Sequence, residues 1–247
     1  MIPPDGVPDA DLRPPPAADG MRIGLLGGSF NPPHHAHRLI SLTALKRLNL
    51  AQVWWIVTPG NPLKEHNDLS PLAERIRLSR RVARHPRIKV TAFEAGLGTA
   101  YTAQTLAWLR RRLPDVRFVW LMGADNLASF HRWNDWRAIF RLMPIAVEDR
   151  PGWRYRALAS PAAAHFARYR IAESKAAALP DLAPPAWCYL SGPLSKLSST
   201  ALRAASSLES MRLSECELAS GRASFMQAGE LGGLRCSISS TGEPNGA

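Results

Sequence analysis

A chain of 247 residues that is 46% hydrophobic, with a formal net charge of +11 and pI near 10.4, can bury a sizeable core in one large domain or two small ones, and its charge favours an acidic partner. No apolar run approaches the roughly 20 residues that span a bilayer, and the start lacks the basic-then-apolar order of a secretory signal, so a cytoplasmic protein off the membrane is expected. Cys188, Cys216 and Cys236 form no CxxC pair and have no histidine cluster nearby, which excludes a cysteine-based metal site and leaves three free thiols as the reading.

The first 20 residues hold six prolines and almost no apolar periodicity, so they read as a disordered extension preceding Met21, outside the fold. From there short apolar runs alternate with amphipathic stretches. Strands are predicted over residues 21–26, 53–58, 88–93, 118–122, 145–147 and 187–190, and helices over 38–48, 72–83, 102–113, 136–142 and 160–178. That order predicts a doubly wound α/β domain with a parallel sheet flanked by helices. The domain is placed at residues 21–206, and the Ser- and Gly-rich residues 207–247 are expected to be a poorly structured tail. No internal repeat is visible.

The strongest local signal is Gly27-Gly28-Ser29-Phe30-Asn31-Pro32-Pro33-His34-His35-Ala36-His37, between the first strand and the first helix. Ligands of open α/β sheets bind beyond the carboxyl ends of the strands, and a helix N-terminus offers free amides to phosphate. The glycines let backbone approach a phosphate, and His34 and His37 fall on one helix face, where both can donate to the same anion. Histidines that merely cap the helix are the plainer alternative. HxxH is not the HExxH of a metalloprotease and no third ligand stands out, so no metal residues are expected; a Walker loop and a GxGxxG fingerprint are also absent.

Lys196-Leu197-Ser198-Ser199-Thr200-Ala201-Leu202-Arg203 is a second anion-binding candidate, with hydroxyls where a helix would begin and an arginine one turn in. The arginines at 75, 77, 80, 81, 84 and 87 read as the solvated face of an amphipathic helix rather than a nucleic-acid stripe, with Arg75 alone placed to reach substrate phosphate. The tryptophans are expected in the core or in a pocket wall.

Together the two anion motifs resemble the HxGH-type nucleotidyltransferase superfamily, specifically the bacterial nicotinate-nucleotide adenylyltransferases, over about residues 21–203. Pro59-Gly60-Asn61-Pro62-Leu63-Lys64, Ala100-Tyr101-Thr102 and Gly123-Ala124-Asp125 followed by Trp133 look like segments of the same family. The resemblance implies a Rossmann-like nucleotidyltransferase. It would transfer AMP from ATP to nicotinate mononucleotide with Mg²⁺ assistance, releasing pyrophosphate in NAD biosynthesis, with no nucleic-acid or membrane partner.

Carried over, His34, His37, Lys64 and Arg203 would be the catalytic residues. Gly28, Ser29, Phe30, Gly123, Asp125, Ser199 and Thr200 would join His34, His37 and Arg203 around ATP. Ser29, Lys64, Tyr101, Thr102 and the stacking indole of Trp133 would receive the acceptor. Two departures stand out: Ala36 replaces the glycine of HxGH, and the Ser/Gly-rich tail replaces an apolar terminal helix. The alternatives are another acceptor, nicotinamide mononucleotide or phosphopantetheine, or an inactive nucleic-acid-binding relative.

Overall fold

A computed structural model describes residues 6–60, 69–99 and 101–192. Six strands form one all-parallel sheet: β1 (Arg22–Gly28), β2 (Gln52–Val57), β3 (Ile88–Thr91), β4 (Arg117–Gly123), β5 (Ile145–Glu148) and β6 (Trp187–Leu190), in the order β3-β2-β1-β4-β5-β6. All six sequence-predicted strands are present. The helices are α1 (His35–Arg47), α2 (Leu72–Ala83), α3 (Phe93–Leu97), α4 (Thr102–Arg112), α5 (Ala124–Ser129), α6 (Trp136–Leu142), α7 (Arg154–Leu158) and α8 (Pro161–His165).

The strands read as continuous apolar runs because both faces of the sheet are covered. Period-two alternation then sends neighbouring residues into different cores. Leu26, Val53, Trp55, Val57 and Leu121 pack with Ala44 and Leu45 of α1 and Ile76 and Ala83 of α2. Ile23, Leu25, Trp54, Ile56, Trp120 and Met122 pack on the other face with Leu106 and Leu109 of α4 and Ile139 and Phe140 of α6.

Two expectations need correction. The proline-rich segment is part of the fold over its described residues: Asp9–Leu12 is a 3-10 turn beside β3, Val7 and Asp11 are buried, and the Asp11 carboxylate pairs with Arg80. Ala92 donates its backbone N–H to the Asp11 carbonyl at 2.7 Å, and the Thr91 hydroxyl donates to the same oxygen at 3.1 Å. β3 is an edge strand, and this segment shields it from open pairing.

The alanine-rich stretch 160–178 is not one helix. It forms α8, a 3-10 turn at Ala167–Tyr169 and a second 3-10 segment at Glu173–Asp181. Between them Arg170 bridges to Trp187 and Ile171 donates its N–H to the Trp187 carbonyl at 2.8 Å, so the chain runs extended beside β6. That pairing overrides the helical preference of alanine. The tail at residues 207–247 lies outside the described residues, as do Cys216 and Cys236, whereas Cys188 is a buried free thiol. No described helix is long and apolar enough to cross a membrane.

Candidate active site

From β1 the chain steps outward to β2 and β3, then crosses back to β4 on the other side of β1. The carboxyl ends of β1 and β4 therefore flank a topological switch point, where diverging connections leave a crevice. Gly28 closes β1 and Gly123 closes β4, so both expected glycines stand at this crevice.

On the β1 side, Phe30 takes a positive φ of 46° and turns the chain towards α1. Its ring is buried, stacked on Trp55 at 4.9 Å and packed against His37 at 4.7 Å. Phe30 can therefore offer a ligand only its backbone. A Cβ on Gly27 would meet the Trp120 ring at 2.5 Å, so that glycine is required by core packing rather than by an approaching phosphate. Gly28 has no such obstruction, its nearest neighbour being the Phe30 ring at 3.5 Å.

His34 is the residue that precedes α1, and His37 lies in the first turn. The two rings stack at 3.8 Å between centroids. The backbone N–H of His34 donates to Nδ1 of His37 at 3.2 Å, so a neutral His37 carries its proton on Nε2 and presents a donor. Its main chain is anchored in turn: the Trp55 indole donates to the Ser41 hydroxyl at 2.7 Å, and that hydroxyl donates to the His37 carbonyl at 2.9 Å.

Burial, reinforced by the neighbouring His34 and by Arg150, pushes the pKa of His37 down to about 3. Burial and Arg150 likewise take His34 to about 4, against an opposing pull from Asp125. Both are neutral donors at pH 7. Nδ1 of His34 is buried without a hydrogen-bond partner among the described residues.

The β4 side is ionic. Asp125 opens α5, and its carboxylate accepts from Arg150 at 2.6 Å. A Cβ on Gly123 would strike Asp125 Oδ1 at 2.4 Å and the Arg150 Cδ at 3.0 Å, so this glycine makes room for the pair. Arg150, just beyond β5, lowers the pKa of both histidines and thereby links the two sides electrostatically. It was missed in the sequence, where no local motif marks it, because its partner Asp125 lies 25 residues away.

The chain's match to the cytidylyltransferase-like family profile runs over residues 25–205. The chain belongs to this family. Within it, the chain groups with nicotinate-nucleotide adenylyltransferases. It is 61% identical over 183 residues to the probable nicotinate-nucleotide adenylyltransferase of Bradyrhizobium sp. (strain ORS 278), covering 74% of this chain and 95% of the relative. It is 59% identical over 187 residues to the protein of the same name from Rhizobium meliloti (strain 1021), covering 76% of this chain and 100% of the relative. Among solved structures, the Plasmodium falciparum nicotinic acid mononucleotide adenylyltransferase complexed with NaAD has the same fold at 17% identity and a TM-score of 0.54, over 74% of this chain and 82% of that one.

The residues expected at the acceptor lie at the start of α4 and in the turn that precedes α6. Tyr101 immediately precedes α4, is 41% exposed, and accepts at its carbonyl from the N–H groups of Gln104 and Thr105; Thr102 opens the helix. Trp133 is partly buried and packs on Phe130 with centroids 5.0 Å apart. Beside α4, in α3, lies Glu94, which the sequence did not single out. It is buried, accepts from the Thr105 hydroxyl at 2.8 Å, and has its pKa raised by burial against the pull of hydrogen bonds with Thr105 and Thr58. The expected Lys64, Ser199, Thr200 and Arg203 lie outside the described residues.

Arg75 departs from its expected role. It is 1% exposed and its N–H groups are turned onto backbone carbonyls, one of them that of Ser29 at 2.7 Å. The structure thus brings Gly28, Ser29, Phe30, His34 and His37 together at one wall, and Gly123 and Asp125 at the other.

Proposed function

We propose that the chain transfers the adenylyl group of ATP to nicotinate mononucleotide, giving nicotinate adenine dinucleotide and pyrophosphate. The observation that carries this reading is the stacked His34–His37 pair at the start of α1, in a chain 55–61% identical to relatives named for this activity. The acceptor phosphate oxygen attacks the α-phosphorus of ATP in line. The bond from the α-phosphorus to the bridging oxygen breaks, and pyrophosphate leaves with its electron pair. The nucleophile is already anionic, so the protein must position the reactants and stabilise charge rather than abstract a proton.

Neutral His34 and His37 donate to phosphoryl oxygens without competing for a proton, and the first amides of α1 add their dipole. Gly28, Ser29 and Phe30 contribute backbone to the ATP phosphates, and Gly123 with Asp125 holds the nucleotide from the facing strand. Tyr101, Thr102 and the indole of Trp133 receive the acceptor. Lys64, Ser199, Thr200 and Arg203 complete the phosphate contacts.

Among the described residues no three His, Cys, Asp or Glu side chains form a metal-binding group. Mg²⁺ enters as part of the MgATP substrate, carried on phosphate oxygens and water. The reaction takes place in the cytoplasm, where ATP is supplied.

The test is pyrophosphate release from MgATP with nicotinate mononucleotide, nicotinamide mononucleotide or phosphopantetheine at matched concentrations. At least a tenfold higher kcat/KM with the first is expected. A preference for either of the others would keep adenylyl transfer and overturn the acceptor assignment.

A further inference from the structure

Arg75 combines burial with the lack of a carboxylate partner among the described residues, an arrangement that core packing alone does not reward. Burial lowers its pKa only to about 10, so the guanidinium is charged at neutral pH. Its fork is spent on three stretches of main chain. Nε donates to the Ser70 carbonyl at 2.8 Å, Nη1 to the carbonyls of Ser29 and Thr58 at 2.7 Å each, and Nη2 to that of Pro59 at 3.3 Å.

Ser29 leaves β1, and Thr58 and Pro59 leave β2; these neighbouring strands pair up to Gly28 and Val57. One side chain on α2 therefore fastens the two loop exits to each other at the edge where the ligand crevice opens.

In a trans peptide the C=O and the following N–H point in opposite directions. Fixing the Ser29 carbonyl on Arg75 turns the N–H of Phe30 away from the guanidinium, and fixing that of Pro59 does the same for Gly60. A cation on each carbonyl also polarises its peptide group and strengthens the N–H on the far side as a donor. We propose that Arg75 is a positioning residue that presents the N–H groups of Phe30 and Gly60 to the substrate phosphates and keeps the β1 and β2 loops in mutual register. This rests on the adenylyl-transfer reading above. Lysine cannot reproduce the device, because a single ammonium lacks the planar fork that reaches four carbonyls.

The test compares Arg75→Gln and Arg75→Lys with the wild-type full chain, after circular dichroism has confirmed folding. Arg75→Gln should lower kcat about 100-fold, the scale of a misaligned reactant pair. Arg75→Lys should recover KM for ATP and leave kcat at least about tenfold low, since charge returns without alignment. Folded Arg75→Gln protein with wild-type kcat and KM, even if its melting temperature has fallen, would overturn the proposal. Amide exchange read by NMR is independent of the reaction. With inorganic pyrophosphate bound, exchange at Phe30 and Gly60 should be slowed in the wild-type chain and rise together in Arg75→Gln, and equal exchange at both in the two proteins would sink the proposal even if the wild-type chain formed no dinucleotide.

Discussion

The two walls of the crevice solve one problem in different ways. The β1 wall suppresses charge: His34 and His37 stack on each other, back onto Phe30 and Trp55, and stay neutral through burial. The β4 wall keeps charge and pairs it, with Asp125 bonded to Arg150 at 2.6 Å. On the proposed reading, neutral donors need little reorganisation when a polyphosphate binds, and the ion pair holds the facing wall in place. Arg150 joins the walls, since its field helps to hold the histidines unprotonated.

The largest effect should come from breaking the neutral wall. His37→Ala is expected to lower kcat by about 10²–10³, the cost of removing one preorganised donor to developing charge, with the circular dichroism spectrum unchanged. Steady-state kinetics check this, and wild-type turnover would remove His37 from the mechanism. Next comes the ionic wall. Arg150→Met should raise KM for ATP about tenfold by leaving the Asp125 carboxylate unpaired where ATP is proposed to bind, and it should move the His34 pKa upward, because a depressing cation is lost while Asp125 stays. An NMR titration of His34 that shows no shift would separate the two walls.

Stability against pH sharpens the contrast further. The folded state holds the two histidines at about 3 and 4, below their ordinary 6.5, so the unfolded chain binds more protons between those values. Stability should therefore fall as pH drops from about 6.5 towards 3, and His37→Gln should flatten that slope in urea titrations. Glu148, at the end of β5, has the opposite sign: burial, with Glu173 and Asp149 nearby, lifts it to about 8 despite Arg47. The folded state then binds the extra proton, so stability should decline as pH rises from about 4.5 through 8. Glu148→Gln should raise Tm by a few degrees at pH 9, the smallest effect in this series.

How far the sequence disclosed this site follows from which signals are local. The strands were readable because burial on both faces makes each a short apolar run, as in Val53 to Val57. His34 and His37 were readable because helical spacing alone brings them together. The ordering of Asp11 and the break in the 160–178 stretch were not, since both depend on partners distant in sequence, Ala92 with Arg80 and Trp187. Arg75 was misread for the same reason: its pattern marks a helix face, while its role depends on carbonyls up to 46 residues away. Arg150 carries no motif of its own, and its meaning emerges only once β4 and β5 lie side by side and Asp125 faces it.

The most direct test of adenylyl transfer is to quantify both products formed by the full chain from MgATP and nicotinate mononucleotide. Nicotinate adenine dinucleotide and pyrophosphate should form in equal amounts, with neither appearing when the acceptor is withheld. Pyrophosphate or AMP released without dinucleotide, or no product from demonstrably folded protein, would contradict adenylyl transfer.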